Sequence, residues 1–322
     1  MASDDSEVGA ALNAVAGGTD AGSPSAGSPS PPPPPEPLSE NSQFGQTTEG
    51  VASLRLSNGE GSFFQVRTGP NYKKHGKKTA SASHIYSPVS IDLFKRESIC
   101  FHTASQLRLP PPPDATAPNE TGLPRRLVVN AIVPADAPAV SFRAAPVDGP
   151  CYQIVVVFEA SAADLARWQA GGSAAVRLFE RFVREAPEGA TPSGGDLDVK
   201  ERLKIIPYID NAKTVGLGPL EGYNGKPALI TKSGSVFRGP DYLELGMNTF
   251  RFGFLTRKGM HHLLPRLAEF QLHVGLVLEG RDDAELDEQI FASCKLTGLD
   301  LKGIATPGAL PPNVTSAATA PS

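Results

Sequence analysis

The sequence predicts an α+β fold: a mostly antiparallel sheet with helices packed on one face, able to enclose an apolar cavity. Three observations lead there. Strand-like segments arrive in groups rather than in strict strand–helix alternation, which argues against a doubly wound parallel sheet. Leu127–Val133 and Cys151–Phe158 are apolar on both faces, as in central strands covered on both sides, or on one side and by a ligand cavity. Ala174–Ala186 has the helical period, with Leu178, Phe179, Phe182 and Val183 on one side and Arg177, Arg181 and Arg184 on the other.

The remaining elements follow in chain order. Ser62–Arg67 alternates as a short strand that meets a turn at Gly69-Pro70. Arg202–Ile209 and Tyr242–Met247 are strand-like. A helix is expected across Thr256–Phe270, with Met260, Leu263, Leu264 and Leu267 at i, i+3, i+4 and i+7, and Pro265 should kink or break it. Leu272, Val274, Leu276 and Leu278 alternate as a strand facing the core. Asp282 or Asp283 is expected to cap a last helix, with Leu286 and Ile290 on its buried side.

These elements lie between two tails of different composition. Of the 322 residues, 1–60 hold eight prolines and eight acidic residues against the single base Arg55, a net of −7. The whole-chain charge is −4, so the other 262 residues carry +3. A segment so poor in apolar side chains cannot offset its ordering entropy, so 1–60 is expected to be a disordered acidic tail. Its run Pro31–Pro35 is a spacer or a polyproline II ligand for an SH3- or WW-type groove. Residues 304–322 are expected to be a second disordered tail, leaving 61–303 as one domain.

Several function classes are disfavoured. No apolar run approaches the ~18 residues needed to span a bilayer. The acidic start Met1-Ala-Ser-Asp-Asp resembles neither a secretory signal nor a transit peptide, so the sequon-like Asn119 and Asn313 are read as chance. Three scattered cysteines, Cys100, Cys151 and Cys294, form no zinc or disulfide framework, and a reducing cytoplasm is expected. A body of +3 is far from a nucleic-acid footprint.

Tests for chemistry are mostly negative. Gly216–Lys226 fails the P-loop pattern, because Leu220 replaces its first Gly and Pro227 its Ser or Thr. Gly216, Gly218 and Gly222 fail the dinucleotide fingerprint, and there is no GxSxG elbow. His261 and His262 are neighbours about 100° apart on a helix and cannot share a face. His84 and His102 could meet in space with Asp92 or a cysteine, and the carboxylate pairs Asp196/Asp198 and Asp282/Asp283 sit in loop-like or capping contexts. No catalytic residue, metal site or cofactor is expected.

The distinctive charge feature is Asn71–Lys78, with Lys73, Lys74, Lys77 and Lys78 behind the Gly69-Pro70 turn. Such a loop is either solvated or attracts anionic headgroups at ~1 kcal/mol per base. Arg67 and Arg238 each precede a Gly-Pro turn, and Tyr72 and Tyr242 follow. Each arginine either reads a headgroup or pairs inside the fold with Asp92 or Glu244.

Several strings line up in order: Phe64-Gln-Val-Arg-Thr-Gly-Pro-Asn-Tyr72, Lys78-Thr-Ala-Ser81, Ile91-Asp-Leu-Phe94, His102, Val129-Asn130, Arg202-Leu-Lys-Ile-Ile-Pro207, Lys226-Pro-Ala-Leu229, Phe237-Arg-Gly-Pro-Asp-Tyr-Leu-Glu244 and Leu276-Val-Leu-Glu279. In this the chain resembles the C-terminal domain family of the plant protein Enhanced Disease Resistance 2, over about residues 62–302. The chain departs from that pattern in three ways. Thr68 is inserted before Gly69-Pro70, Asp241 replaces an Asn, and Tyr208–Gly225 lacks the usual tryptophan. In the plant proteins the domain follows a pleckstrin-homology and a START domain; here a stand-alone copy without either is expected. The resemblance implies a membrane-associated regulatory domain and transfers no catalytic residue.

Three functions are expected in turn. The first is a non-catalytic lipid- or membrane-associated regulatory module of the cytosol, with Arg67, Lys73, Lys74, Lys77, Lys78 and Arg238 at an anionic headgroup. The second is a protein-interaction adaptor working through the Pro-rich tail or a surface patch. The third is an unrecognised enzyme built around His102 and the Arg/Tyr repeats. A closed apolar cavity, a flat apolar patch or converging titratable groups would separate them.

Overall fold

The computed structural model describes residues 36–37, 54–109, 111–112, 114–138, 147–190, 199–301 and 304. Its frame is two five-stranded sheets. The strands in chain order are β1 (Arg55–Asn58), β2 (Gln65–Arg67), β3 (Lys78–Ala80), β4 (Ser87–Arg96), β5 (Arg126–Pro134) and β6 (Cys151–Glu159). Helices α1 (Ala162–Ala170) and α2 (Ala174–Glu185) follow, then β7 (Leu203–Ile209), β8 (Ala228–Leu229), β9 (Gly234–Arg238) and β10 (Tyr242–Asn248). Helix α3 (Phe254–Leu263), β11 (Gln271–Leu278) and β12 (Ile290–Thr297) complete the body.

The first sheet runs β8–β7–β11–β12–β1, antiparallel throughout. The second runs β9–β10–β5–β6–β4, with β10 and β5 as its one parallel pair. The two meet where Ile85 and Tyr86, just before β4, both donate their N–H to the Phe291 carbonyl of β12. The expected α+β class with mostly antiparallel pairing holds. The strands are divided over two sheets that share one core.

That core lies between the sheets. Leu56, Leu276 and Phe291 of the first pack with Ile91, Leu127, Phe158 and Leu245 of the second, and α2 adds Leu178, Phe179 and Phe182. Ser161 and Ser173 cap α1 and α2, their side chains accepting from the N–H groups of Asp164 and Val176. The outer faces are covered too. On the first sheet Phe64 and Val66 cover Ile206, Val277 and Ile290, and on the second Ala104 and Leu107 cover Val128, Val155 and Val157. Cover on both faces is why β5 and β6 are apolar nearly throughout. Between α2 and β11, around Trp168 and Phe179, a partly open recess of about 10 Å³ remains, about enough for one water.

Two expectations are corrected. The folded body begins before residue 61: β1 pairs with β12, and Leu54 and Leu56 are fully buried in the shared core. Nor does a helix follow Asp282 and Asp283. A single 3-10 turn covers Asp283–Glu285, Asp282 makes no side-chain cap, and Ile290 is buried as the first residue of strand β12. β12 is an eight-residue strand with the strand period, and its pairing with β11 outweighs the local capping signal. The Pro-rich run Pro31–Pro35, the pair Asp196/Asp198 and the tail 305–322 lie outside the described residues.

Candidate functional site

The lysine-rich segment is the tip of a two-stranded finger, β2–β3, laid over the outer face of the first sheet. Strand alternation sends Phe64 and Val66 inward. Gly275 makes room for them, since a Cβ there would stand 3.0 Å from the Phe64 ring. At the tip Asn71 and Gly76 take left-handed backbone, at φ 63 and 59, on either side of one helical turn, Tyr72–His75. Asn and Gly are the residues that accept that conformation at least cost.

The base of the finger is tied to the segment 279–288. The Thr68 hydroxyl and the Gly69 N–H both donate to Asp287, the latter at 2.7 Å, and the Asn71 N–H donates to Asp283 at 2.9 Å. Arg67 pairs with Glu279 at 3.0 Å, and its guanidinium lies 4.9 Å over the Tyr72 ring. Beneath it Lys204 donates to both oxygens of Glu288, at 2.7 and 3.0 Å, and both side chains are almost wholly buried. Burial lowers the Lys204 pKa, and the Glu288 charge opposes that shift.

Lys73, Lys74, Lys77 and Lys78 are all exposed on this braced tip. Lys73, Lys74 and Lys77 make no ion pair among the described residues. Arg67 belongs to the same finger but faces its support. Arg238 is elsewhere, at the end of β9 in the second sheet. Its Nε and Nη2 donate to the carbonyls of Val183 and Ala186 at the C-terminus of α2, and Nη1 pairs with Glu188 at 3.3 Å. It satisfies carbonyls that have no partner within the helix. The carboxylates seen beside them are Glu279 for Arg67 and Glu188 for Arg238, where sequence suggested Asp92 or Glu244.

A second polar cluster lies on the outer face of the second sheet. The Glu244 carboxylate is fully buried and accepts from the N–H groups of Thr103 (3.0 Å) and Ala104 (2.9 Å) and from Asn130 Nδ2 (3.1 Å). Gln153 Nε2 donates to Asn130 Oδ1 at 2.9 Å and to Thr103 Oγ1 at 3.0 Å. Burial pushes the Glu244 pKa up to about 7, against the pull of those three donors. His102 stands 4.0 Å from it, hydrogen-bonds the Tyr242 hydroxyl at 2.8 Å and stacks on Phe237. Burial lowers the His102 pKa, and the Glu188 charge partly opposes this. His84, the other histidine singled out, bonds Asn58 instead, at 2.8 Å.

Sequence reasoning missed Glu244 as the centre of this cluster. A signal was present: a lone acid between Leu243 and Leu245, in a strand with apolar residues on both sides, must be buried on one face. Among the described residues no group of His, Cys, Asp and Glu is arranged to hold a metal, and no helix is long and apolar enough to cross a membrane. A family model described as "Protein ENHANCED DISEASE RESISTANCE 2, C-terminal" matches residues 57–300. No curated protein and no solved structure matches the chain.

Proposed function

The chain belongs to the Enhanced Disease Resistance 2 C-terminal family, and from that footing we propose that it is a non-catalytic module that docks peripherally on anionic membrane surfaces through the lysine finger. The observation that carries this reading is a cationic tip whose brace uses other residues. Arg67, Thr68, Gly69 and Asn71 hold the finger down, while Lys73, Lys74 and Lys77 are spent on no ion pair among the described residues. A preformed tip binds without a large ordering cost. Lys73, Lys74 and Lys77 at ~1 kcal/mol each amount to about 3 kcal/mol, or roughly 10²-fold in affinity for acidic over neutral vesicles.

The test is sedimentation of the full chain with phosphatidylserine-containing and pure phosphatidylcholine vesicles, at low and high salt. The wild type should pellet with the acidic vesicles at low salt. A variant with Lys73, Lys74, Lys77 and Lys78 all changed to Glu should stay in solution. Equal pelleting of both proteins would remove the finger from the reading.

A further inference from the structure

A buried cation without a carboxylate partner among the described residues lines an open groove that shares no residue with the finger or its brace. The groove, of about 470 Å³, lies between the loop 115–125, the end of α2 at Val183 and the turn 238–243. That volume is within the range of small-molecule sites, roughly 300 to 1,000 Å³. Arg125 lines it and is only 5 % exposed. Its Nη1 donates to the Asp114 carbonyl at 3.1 Å and its Nη2 to the Ala117 carbonyl. Its Nε is buried with no acceptor, and the side chain makes no ion pair among the described residues. A buried guanidinium normally has a carboxylate or other anion beside it, because desolvating the charge alone costs several kcal/mol.

The other charges in the groove restrict what would supply that anion. Arg238 is already committed to the Val183 and Ala186 carbonyls and to Glu188. Asp241, half-buried at the rim, has no hydrogen bond or ion pair among the described residues. A ligand with two negative charges would meet Asp241 with about twice the repulsion of a singly charged one, so the rim favours one charge, with or without a cationic tail. We propose that this groove binds a singly charged oxyanion, a carboxylate or phosphodiester, anchored on the Arg125 guanidinium and selected against dianions by Asp241. The site shares no residue with the lysine finger, so it stands or falls separately from membrane docking.

The experiment is an amide chemical-shift titration of the full chain at constant ionic strength, with dimethyl phosphate as the monoanion and sulfate as the dianion. Saturable shifts with dimethyl phosphate should centre on 122–125 and 239–243, with sulfate weaker. Arg125→Lys keeps the charge but loses the fork, and should weaken dimethyl phosphate binding. Should that variant not fold, Asp241→Asn decides, since it removes only a rim charge. It should strengthen dimethyl phosphate binding by no more than roughly fivefold, the equivalent of about 1 kcal/mol between unit charges near water, and sulfate binding by clearly more. Phosphatidylcholine bicelles form a further arm. Shifts with bicelles as well as the soluble diester identify a lipid headgroup, and shifts with the soluble diester alone identify a free small molecule. Absence of saturation, shifts centred on the finger, or an Asp241→Asn response equal for both anions would overturn the proposal.

Discussion

The outer faces of the two sheets each bury a carboxylate, and they satisfy it by opposite means. Under the finger, Glu288 is held by the Lys204 ammonium, with the Gly280 and Arg67 N–H groups completing its shell. Under the 100–107 segment, Glu244 receives only neutral donors, from Thr103, Ala104 and Asn130. Neutral N–H groups stabilise a carboxylate, but at Glu244 they do not outweigh the loss of solvation, so its proton is held to about pH 7. The contrast teaches that two equally buried acids in this fold differ in the charge of their donors, an ammonium at Glu288 and neutral N–H groups at Glu244.

The largest effect should come from separating the ionic pair. Lys204→Met leaves Glu288 buried without its ammonium and should cost about 3 to 5 kcal/mol in urea unfolding. The double variant with Glu288→Gln should recover most of that loss. If the single variant loses less than the double, the pair is not what holds the finger's support together.

Next in size is a pH dependence expected at the neutral-donor cluster. Glu244 has a folded pKa of about 7 against an ordinary 4.5, so the folded state holds the proton more tightly than the unfolded chain does. The stabilisation is complete below about pH 4.5 and is lost as pH rises through 7, a change on the order of 3 kcal/mol. Glu244→Gln should flatten that part of the stability profile. Its absolute stability should also fall, because the new amide NH₂ must face an N–H donor. An unchanged slope in the variant would assign the titration to another group.

Tyr242→Phe removes the phenol that bonds His102 and should cost about 0.5 to 1.5 kcal/mol. A His102 titration followed by NMR should move in the same variant, whereas replacing the exposed Lys73 should leave it unmoved. The smallest effect on stability is expected from the lysine tip itself. Each of its four Lys→Glu changes should alter stability by no more than about 0.5 kcal/mol, as for other exposed side chains. The quadruple variant should therefore melt close to the wild type even as it loses acidic vesicles. A large drop in its melting temperature would mean that the tip is a brace as well.

Much of the framework was readable from periodicity. The strands expected at Leu127–Val133, Cys151–Phe158 and Arg202–Ile209 stand at 126–134, 151–159 and 203–209, and the helix expected over Ala174–Ala186 runs to Glu185. Pro265 does end α3, which gives way to a 3-10 segment from Leu264 to Glu269. The strand Ser87–Arg96, the edge strand Gly234–Arg238 and helix α1 were not read, since their patterns mix polar and apolar residues. Asp92 and Ser90 are buried in the first of these, where alternation alone would place polar side chains in water. At the site, the lysine cluster was legible because it is local. For Glu244 only its burial was legible and not its partners, and Lys204 and the groove at Arg125 were not legible at all.

The sequence by itself therefore determined where the apolar faces fall, which segments become strands or helices, and that four lysines crowd one turn. All of these are properties of residues a few positions apart. The tertiary structure alone decided which charges are spent. Arg67 meets Glu288 across 221 positions and Asn71 meets Asp283 across 212, and no period in the chain encodes such pairings. Charges carry no repeat that marks their partners, and whether one is neutralised, titrating or open to a ligand depends on which surface the packed sheets bring against it.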